Sequence, residues 1–309
     1  MKKNTHGLFA LCILLWTACA GSPSEEIPEP SLSYPVQFSV RMEKEIFPFP
    51  GMRSMPSMDL PEPGGEEEKE LVDFCSRMDY LVYTEGKNGA PFKHLQLKEG
   101  VDPDFGIVYD TLPAGNYKVC FLTHNAKEVA LADGHLAFGE VTDAFHQVHA
   151  VTVDAAGLII EDITLERIVS RIEFCAVDPV PAGADRLEME VEHLVPSVNP
   201  FTGEGVPSTE TTVFSYVFGP DDIGKEHFIH SFFTFIPHDG TPLSVRITTY
   251  ARDGTVLRRR EVKPVVPLRN KIIRYTGKLY GEASSDETFR VSVSGNGAWG
   301  GVDDNELPD

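Results

Sequence analysis

Alternation of apolar and polar residues at a period of two recurs along most of this 309-residue chain, and it restricts the fold more than any other feature. Residues 164–178 (TLERIVSRIEFCAVD) organise the pattern. Their even positions Ile168, Ile172, Phe174 and Ala176 form one apolar face, and Arg167, Arg171 and Glu173 face the other way. That reads as a half-buried β-strand. Runs of short strands of similar length lie before and after it, so the stretch is expected to open a second β-sandwich directly after a first. The predicted class is all-β, with an N-terminal unit over residues 34–165 and a C-terminal unit over 166–309. A chain of this length holds two such units with ordinary cores.

In the first half, residues 34–46 (YPVQFSVRMEKEI) alternate cleanly, placing Val36, Phe38, Val40 and Met42 on one face. Residues 47–70 follow, rich in proline, with paired glycines and the acid run Glu66–Glu68, and they exclude regular structure. Further strands are predicted over 77–84, 92–97 and 105–111. Pro113 and Gly115 make a turn before a strand carrying Tyr117, Val119 and Phe121. Residues 126–132 read as a short helix. Strands at 146–154 and 158–165 bring the count to about seven, that of a small β-sandwich. The second half is predicted to hold strands at 186–195, 211–218, 227–236, 243–250, 256–263, 270–281 and 288–294. Asp253-Gly254 marks a hairpin in which both central residues take positive φ. Arg258, Arg259 and Arg260 read as a solvated hairpin arm, with Arg259 facing away from the other two.

The N-terminus is separate from these strands. Lys2 and Lys3, the apolar run 8–16 and the small residues Thr17 and Ala18 before Cys19 form a bacterial secretion signal, residues 1–18. Its end resembles a lipobox, although Leu15 stands one place further from Cys19 than the usual leucine and Trp16 fills that place. Cys19 is therefore the expected lipidation site. Residues 19–33 form a Pro-, Ser- and Glu-rich tether, and no later stretch is long and apolar enough for a spanning helix. The protein is expected at the cell surface, as an outer-membrane lipoprotein held by that lipid.

Formal charge is −20 for the whole chain and −22 once residues 1–18 are removed, which argues against a nucleic-acid partner. Three cysteines remain beyond Cys19. Cys75 and Cys120 are a candidate disulfide in an exported chain, and buried free thiols are the equal alternative. No catalytic or cofactor-binding constellation stands out, and the chain is read as a non-enzyme without cofactor. HQVH (His146, His149) and HFIH (His227, His230) have i, i+3 spacing, which on strands sends the two rings to opposite faces, so no metal site is expected. GxSxG and P-loop motifs are absent.

Several stretches together resemble the fimbrillin superfamily, the subunits of the type V pili of Bacteroidales-type bacteria. They are the lipoprotein signal ending at Cys19, LPAGNYKV at 112–119, ERIVSRIEF at 166–174 and PLRNKIIRYTGKLYG at 267–281. The resemblance spans residues 19–299 and rests on the order and spacing of these motifs. It implies two tandem transthyretin-like β-sandwiches and a structural role as anchor, stalk or tip of a fimbria. Its partners would be other fimbrial subunits, joined by strand exchange. In stalk members a trypsin-like protease cuts behind the first strand. The matching residue here is Arg53, in the 47–70 loop; Arg41 lies within a predicted strand. A surface glycan-binding lipoprotein is the alternative reading, since tandem β-sandwiches on a lipid tether suit that role too.

Overall fold

The computed structural model describes residues 32–43, 70–86, 90–281 and 288–295, and the account below concerns these. Cys19, Arg53, Trp299 and the acid run Glu66–Glu68 lie outside them. The described residues contain strands and two single 3-10 turns, Leu71–Asp73 and Pro220–Asp222, with no α-helix. The first half holds β1 (Ser33–Met42), β2 (Arg77–Thr84), β3 (Lys93–Lys98), β4 (Ile107–Pro113), β5 (Gly115–His124), β6 (Val129–Ala132), β7 (His135–Phe138), β8 (Ala144–Val153) and β9 (Ile159–Arg167). The second half holds β10 (Val169–Ala176), β11 (Ala184–Glu192), β12 (Ser197–Val198), β13 (Gly205–Val206), β14 (Thr212–Val217), β15 (Ile229–Phe235), β16 (Leu243–Ala251), β17 (Val256–Val265), β18 (Lys271–Gly277) and β19 (Arg290–Gly295).

Seven strands of the first half form one sheet in the order β3-β2-β5-β8-β9-β1-β4. β8 and β9 share only two paired positions, Phe145 with Arg167 and His146 with Glu166. The sheet folds over at this weak seam, so β3-β2-β5-β8 faces β9-β1-β4. Between them lies a core that includes Val36, Phe38, Tyr80, Phe121, Phe145 and Leu165. The second half is a sandwich of two four-stranded sheets, β15-β10-β18-β19 and β14-β11-β16-β17. Its interior is filled by side chains such as Ile172, Phe174, Leu187, Val245 and Ile273. The ring of Phe214 stacks on that of Phe232 across the two sheets at 5.0 Å.

The halves repeat one pairing scheme. β1 runs parallel to β9 and antiparallel to β4, and β10 runs parallel to β18 and antiparallel to β15. They also meet extensively. Leu81, Cys120 and Leu122, on the outer face of β2 and β5, belong to the same core cluster as the second-half residues, and β7 pairs with β12. This explains why β2 is buried at every interior position, although an isolated sandwich would leave one face wet. The proposed division between 165 and 166 falls inside β9, three residues before β10 begins.

Several elements differ from the sequence reading. Residues 126–132 are not helical. Val129–Ala132 is a strand that turns at Asp133-Gly134, both with positive φ (49° and 77°), and returns as β7. The Asp-Gly pair between two apolar runs was the available signal, and it outweighs the helix propensity of alanine and leucine. The stretch 164–178 is two strands, and β10 is buried on both faces. Its charged face is internal because its charges pair. Arg171 Nε lies 3.0 Å from Glu173 Oε1, and Arg274 Nε of the neighbouring β18 donates to Glu173 Oε2 at 2.7 Å. At the predicted hairpin only Gly254 takes positive φ (85°). The Gly254 N–H bonds to Ala251 O and the Ala251 N–H to Thr255 O, a type I turn closed by a glycine bulge. Arg259 does face away from its neighbours, but Arg258 is buried, donating from Nη1 to Gly281 O, so this strand is not a wholly solvated arm.

Candidate functional site

The segment on which the strand-exchange expectation turns is β1. The predicted apolar face is the buried one: Val36, Phe38, Val40 and Met42 all point into the first core. Phe38 is wholly buried, its ring 5.3 Å from that of Phe121 and 5.9 Å from that of Tyr80. The strand is clamped along both edges. Ser33 to Ser39 pair with Pro113 to Ile107, and Val36 to Met42 pair with Ile159 to Leu165. Removing β1 would therefore leave a slot with two open edges, β4 and β9, and an empty row of apolar sites. Arg41 lies within the strand, opposite Thr164, with its guanidinium 3.4 Å from Asp162. A protease would have to break the ladder to reach it.

Two features frame the slot. At one end Tyr80 donates its hydroxyl to Asp110 Oδ2 at 3.2 Å, and Lys93 pairs with the other carboxylate oxygen. Burial, with the adjacent Asp110 carboxylate, holds the Tyr80 hydroxyl well above the usual tyrosine range. At the other end Leu71, Phe74 and Cys75 pack in the same core as β1, and the Val40 N–H donates to Gly106 O at 2.7 Å.

Cys75, Cys120 and Cys175 are all buried free thiols. Cys75 and Cys120 are not joined, because they lie in different cores: Cys75 behind β1, and Cys120 on the face of β5 turned to the second half. Burial pushes both thiols up to about 12, the range of inert core cysteines.

Two of the motifs behind the family resemblance meet at the seam between the halves. Arg167 is almost fully buried. Its Nε and Nη2 donate to Asp143 Oδ1 and Oδ2 at 2.7 and 2.9 Å, and its Nη1 donates to Asn270 Oδ1 at 3.0 Å. ERIVSRIEF and PLRN are thus in contact through Arg167 and Asn270. In LPAGNYKV, the Tyr117 hydroxyl donates to Pro113 O at 3.0 Å and pins the turn into β5.

The His146/His149 pair lies on β8 as expected, whereas His227 falls outside β15 and only His230 is on that strand. His146 is buried with its Nε2 2.7 Å from Pro200 O, and His149 lies 3.6 Å from Glu161. His227 sits in a turn at φ 55°, whereas His230 is buried with Nε2 2.8 Å from the Tyr280 hydroxyl. Among the described residues no group of three or more His, Cys, Asp or Glu is arranged to hold a metal ion. Sequence reasoning missed a polar cluster on the outer face of β2, β3 and β5. There buried Asp79 is contacted by His94 Nε2 at 2.6 Å, Gln96 Nε2 at 2.9 Å and His124 Nε2 at 2.9 Å. Nothing in the local sequence joins these residues; the strand register does.

The architecture defines an all-β chain of two sandwiches whose N-terminal strand is held between two later strands of its own sheet. No family model matches the sequence, and no curated protein matches it. Solved structures are similar to it. A candidate adhesin from Bacteroides ovatus is 12% identical with a TM-score of 0.48, over 75% of this chain and 82% of that one. The fimbrial anchor protein Mfa2 from Porphyromonas gingivalis is 11% identical with a TM-score of 0.47, over 85% and 98%. The tip fimbrial protein Mfa3 from the same organism, truncated at its C-terminus, is 10% identical with a TM-score of 0.40, over 85% and 100%.

Proposed function

We propose that this chain is a structural, non-enzymatic subunit of a cell-surface fimbria that supports adhesion. In this reading its two halves act as tandem sandwiches divided near residue 165, and it joins other subunits by exchange of β1. Lipid on Cys19 tethers it to the outer membrane, and Arg53 is the processing site when the subunit is cut. The observation that carries the reading is the position of β1. It is the first strand among the described residues, yet it fills an interior place between β4 and β9. Its four buried apolar side chains contribute roughly 6–12 kcal/mol before ordering costs. Such a strand does not leave unaided. A competing strand replaces it stepwise, refilling ladder bonds and pockets as they empty.

Limited trypsin treatment tests this. Cleavage at Arg53 followed by oligomers, with both blocked by Arg53→Ala, is the expected outcome. A cut protein that stays monomeric at high concentration beside its partner subunits would remove strand exchange. Cys19→Ala should release the chain from the membrane fraction or leave it unprocessed; unchanged lipid labelling of that variant would overturn the anchor.

A further inference from the structure

A cleft of about 770 Å³ opens beside the first sheet, away from the β1 slot. Its floor is the outer face of β3, β2 and β5. There Lys98, Arg77 and His124 stand in one cross-strand row, and Gln96 and Asp79 stand in the next. Its opposite wall is the β6–β7 hairpin with the segment leading into it, contributing Lys127, Val129, Ala137 and Phe138. The volume falls within the range of small-ligand sites.

The charges in this cleft are unevenly engaged. Asp79 is saturated by the three donors described above, and the His94 and His124 contacts help hold its carboxyl down at about 2, against the opposing effect of burial. His124 presents its Nε2 proton to Asp79, because its Nδ1 accepts the Ala126 N–H at 3.1 Å. Asp102 Oδ2 accepts the Lys98 N–H at 2.7 Å, and Glu128, beside Lys127, is exposed to solvent. Among the described residues, however, the side chains of Arg77, Lys98 and Lys127 make no ion pair or hydrogen bond. In a chain with 47 acidic and 27 basic residues, unpartnered cations on both walls of one cleft stand out. Most of the other described arginines are paired with carboxylates, as at Asp143, Asp162, Glu173, Glu188 and Glu190.

We propose that the cleft binds a small carboxylate-bearing ligand. Arg77 and Lys98 take the carboxylate from the floor, Lys127 approaches it from the opposite wall, and Val129 and Phe138 cover its apolar part. A guanidinium beside an ammonium suits a planar carboxylate, and the saturated Asp79 network fixes the floor beneath it. The inference stands independently of strand exchange. The carboxylate could belong to an acidic sugar or to an acidic peptide, and the chemistry recognised is the same.

Calorimetric titration of the chain lacking residues 1–19 separates the outcomes, using trigalacturonate, triglutamate and neutral maltotriose as probes. At least one acidic probe should bind and maltotriose should not, and binding should weaken with added salt. Whichever acid binds identifies the source. Arg77→Gln with Lys98→Gln should weaken binding at least tenfold, since hydrogen bonds to charged groups are lost. Lys127→Gln, on the other wall, should weaken it in the same direction and serves if the double variant is unstable. Failure of both acids to bind, or binding unchanged in these variants, would overturn the proposal.

Discussion

Phe38→Ala probes how firmly β1 is held. The Phe38 ring is fully buried, with the rings of Phe121 and Tyr80 within 6 Å, and neither main-chain ladder of β1 is touched by the change. Truncating a buried phenylalanine costs about 3–5 kcal/mol in transfer and cavity terms. The lost aromatic pairing favours the upper half of that range, so about 4–5 kcal/mol is expected from urea unfolding of the chain lacking residues 1–19. The loss is concentrated on β1 and should therefore appear as local opening before global unfolding. Cys75 reports it, because this thiol shares a core with β1, whereas Cys120 lies in the other cluster. Under native conditions the variant should label at Cys75 at least tenfold faster than the parent, with Cys120 unchanged. Gln37→Ala, on the same strand but the opposite face, should do neither. A cost below about 1 kcal/mol, or Cys75 and Cys120 accelerating together, would refute the idea that β1 opens as a separate unit.

Arg167→Met should cost about 3 kcal/mol or more by chemical denaturation, because it strands the Asp143 carboxylate and removes the Asn270 contact at the seam; a neutral effect would show that packing alone holds the halves together. The Asp79 carboxyl is lowered from 3.8 to about 2 in the folded protein. Its stabilisation is thus complete above pH 4 and is lost as pH falls from about 4 towards 2, on the order of 2 kcal/mol. Asp79→Asn should flatten the pH dependence of urea stability in that window, and an unchanged slope would contradict the assignment. His230 is buried and lowered from 6.5 to about 4, chiefly by burial, so the unfolded chain takes up a proton that the folded one refuses. Stability should fall as pH drops from about 6.5 to 4, and NMR titration of His230 should show it neutral at pH 5.5; a protonated ring there would refute this.

The alternation of β1 and of the start of β5 is legible because each has one face whose burial the local residues dictate. β10 was legible as a strand but not in its environment. Arg171 and Glu173 read as solvent-facing because the second partner of Glu173, Arg274, comes from β18, about one hundred residues later. The β6–β7 hairpin reads as a helix because four residues, Val-Ala-Leu-Ala, carry too little periodicity to separate strand from helix, and the signal that decides it is Asp133-Gly134. The cleft was invisible for the same reason as the Arg167 contact. Arg77, Lys98 and His124 adjoin only through the register of three strands, and Lys127 faces them only because the hairpin folds back across the sheet.

The central claim is that β1 is a replaceable strand. It is tested most directly by cutting the chain at a protease site placed within residues 44–69 and adding excess fluorescent peptide of sequence 33–42. The account predicts that the cut protein takes up the peptide and holds it through gel filtration, releasing one equivalent of its own first segment. The uncut protein, and a peptide with Phe38 replaced by aspartate, should give no uptake. A cut protein that retains its own β1 and excludes the peptide after prolonged incubation would contradict the account.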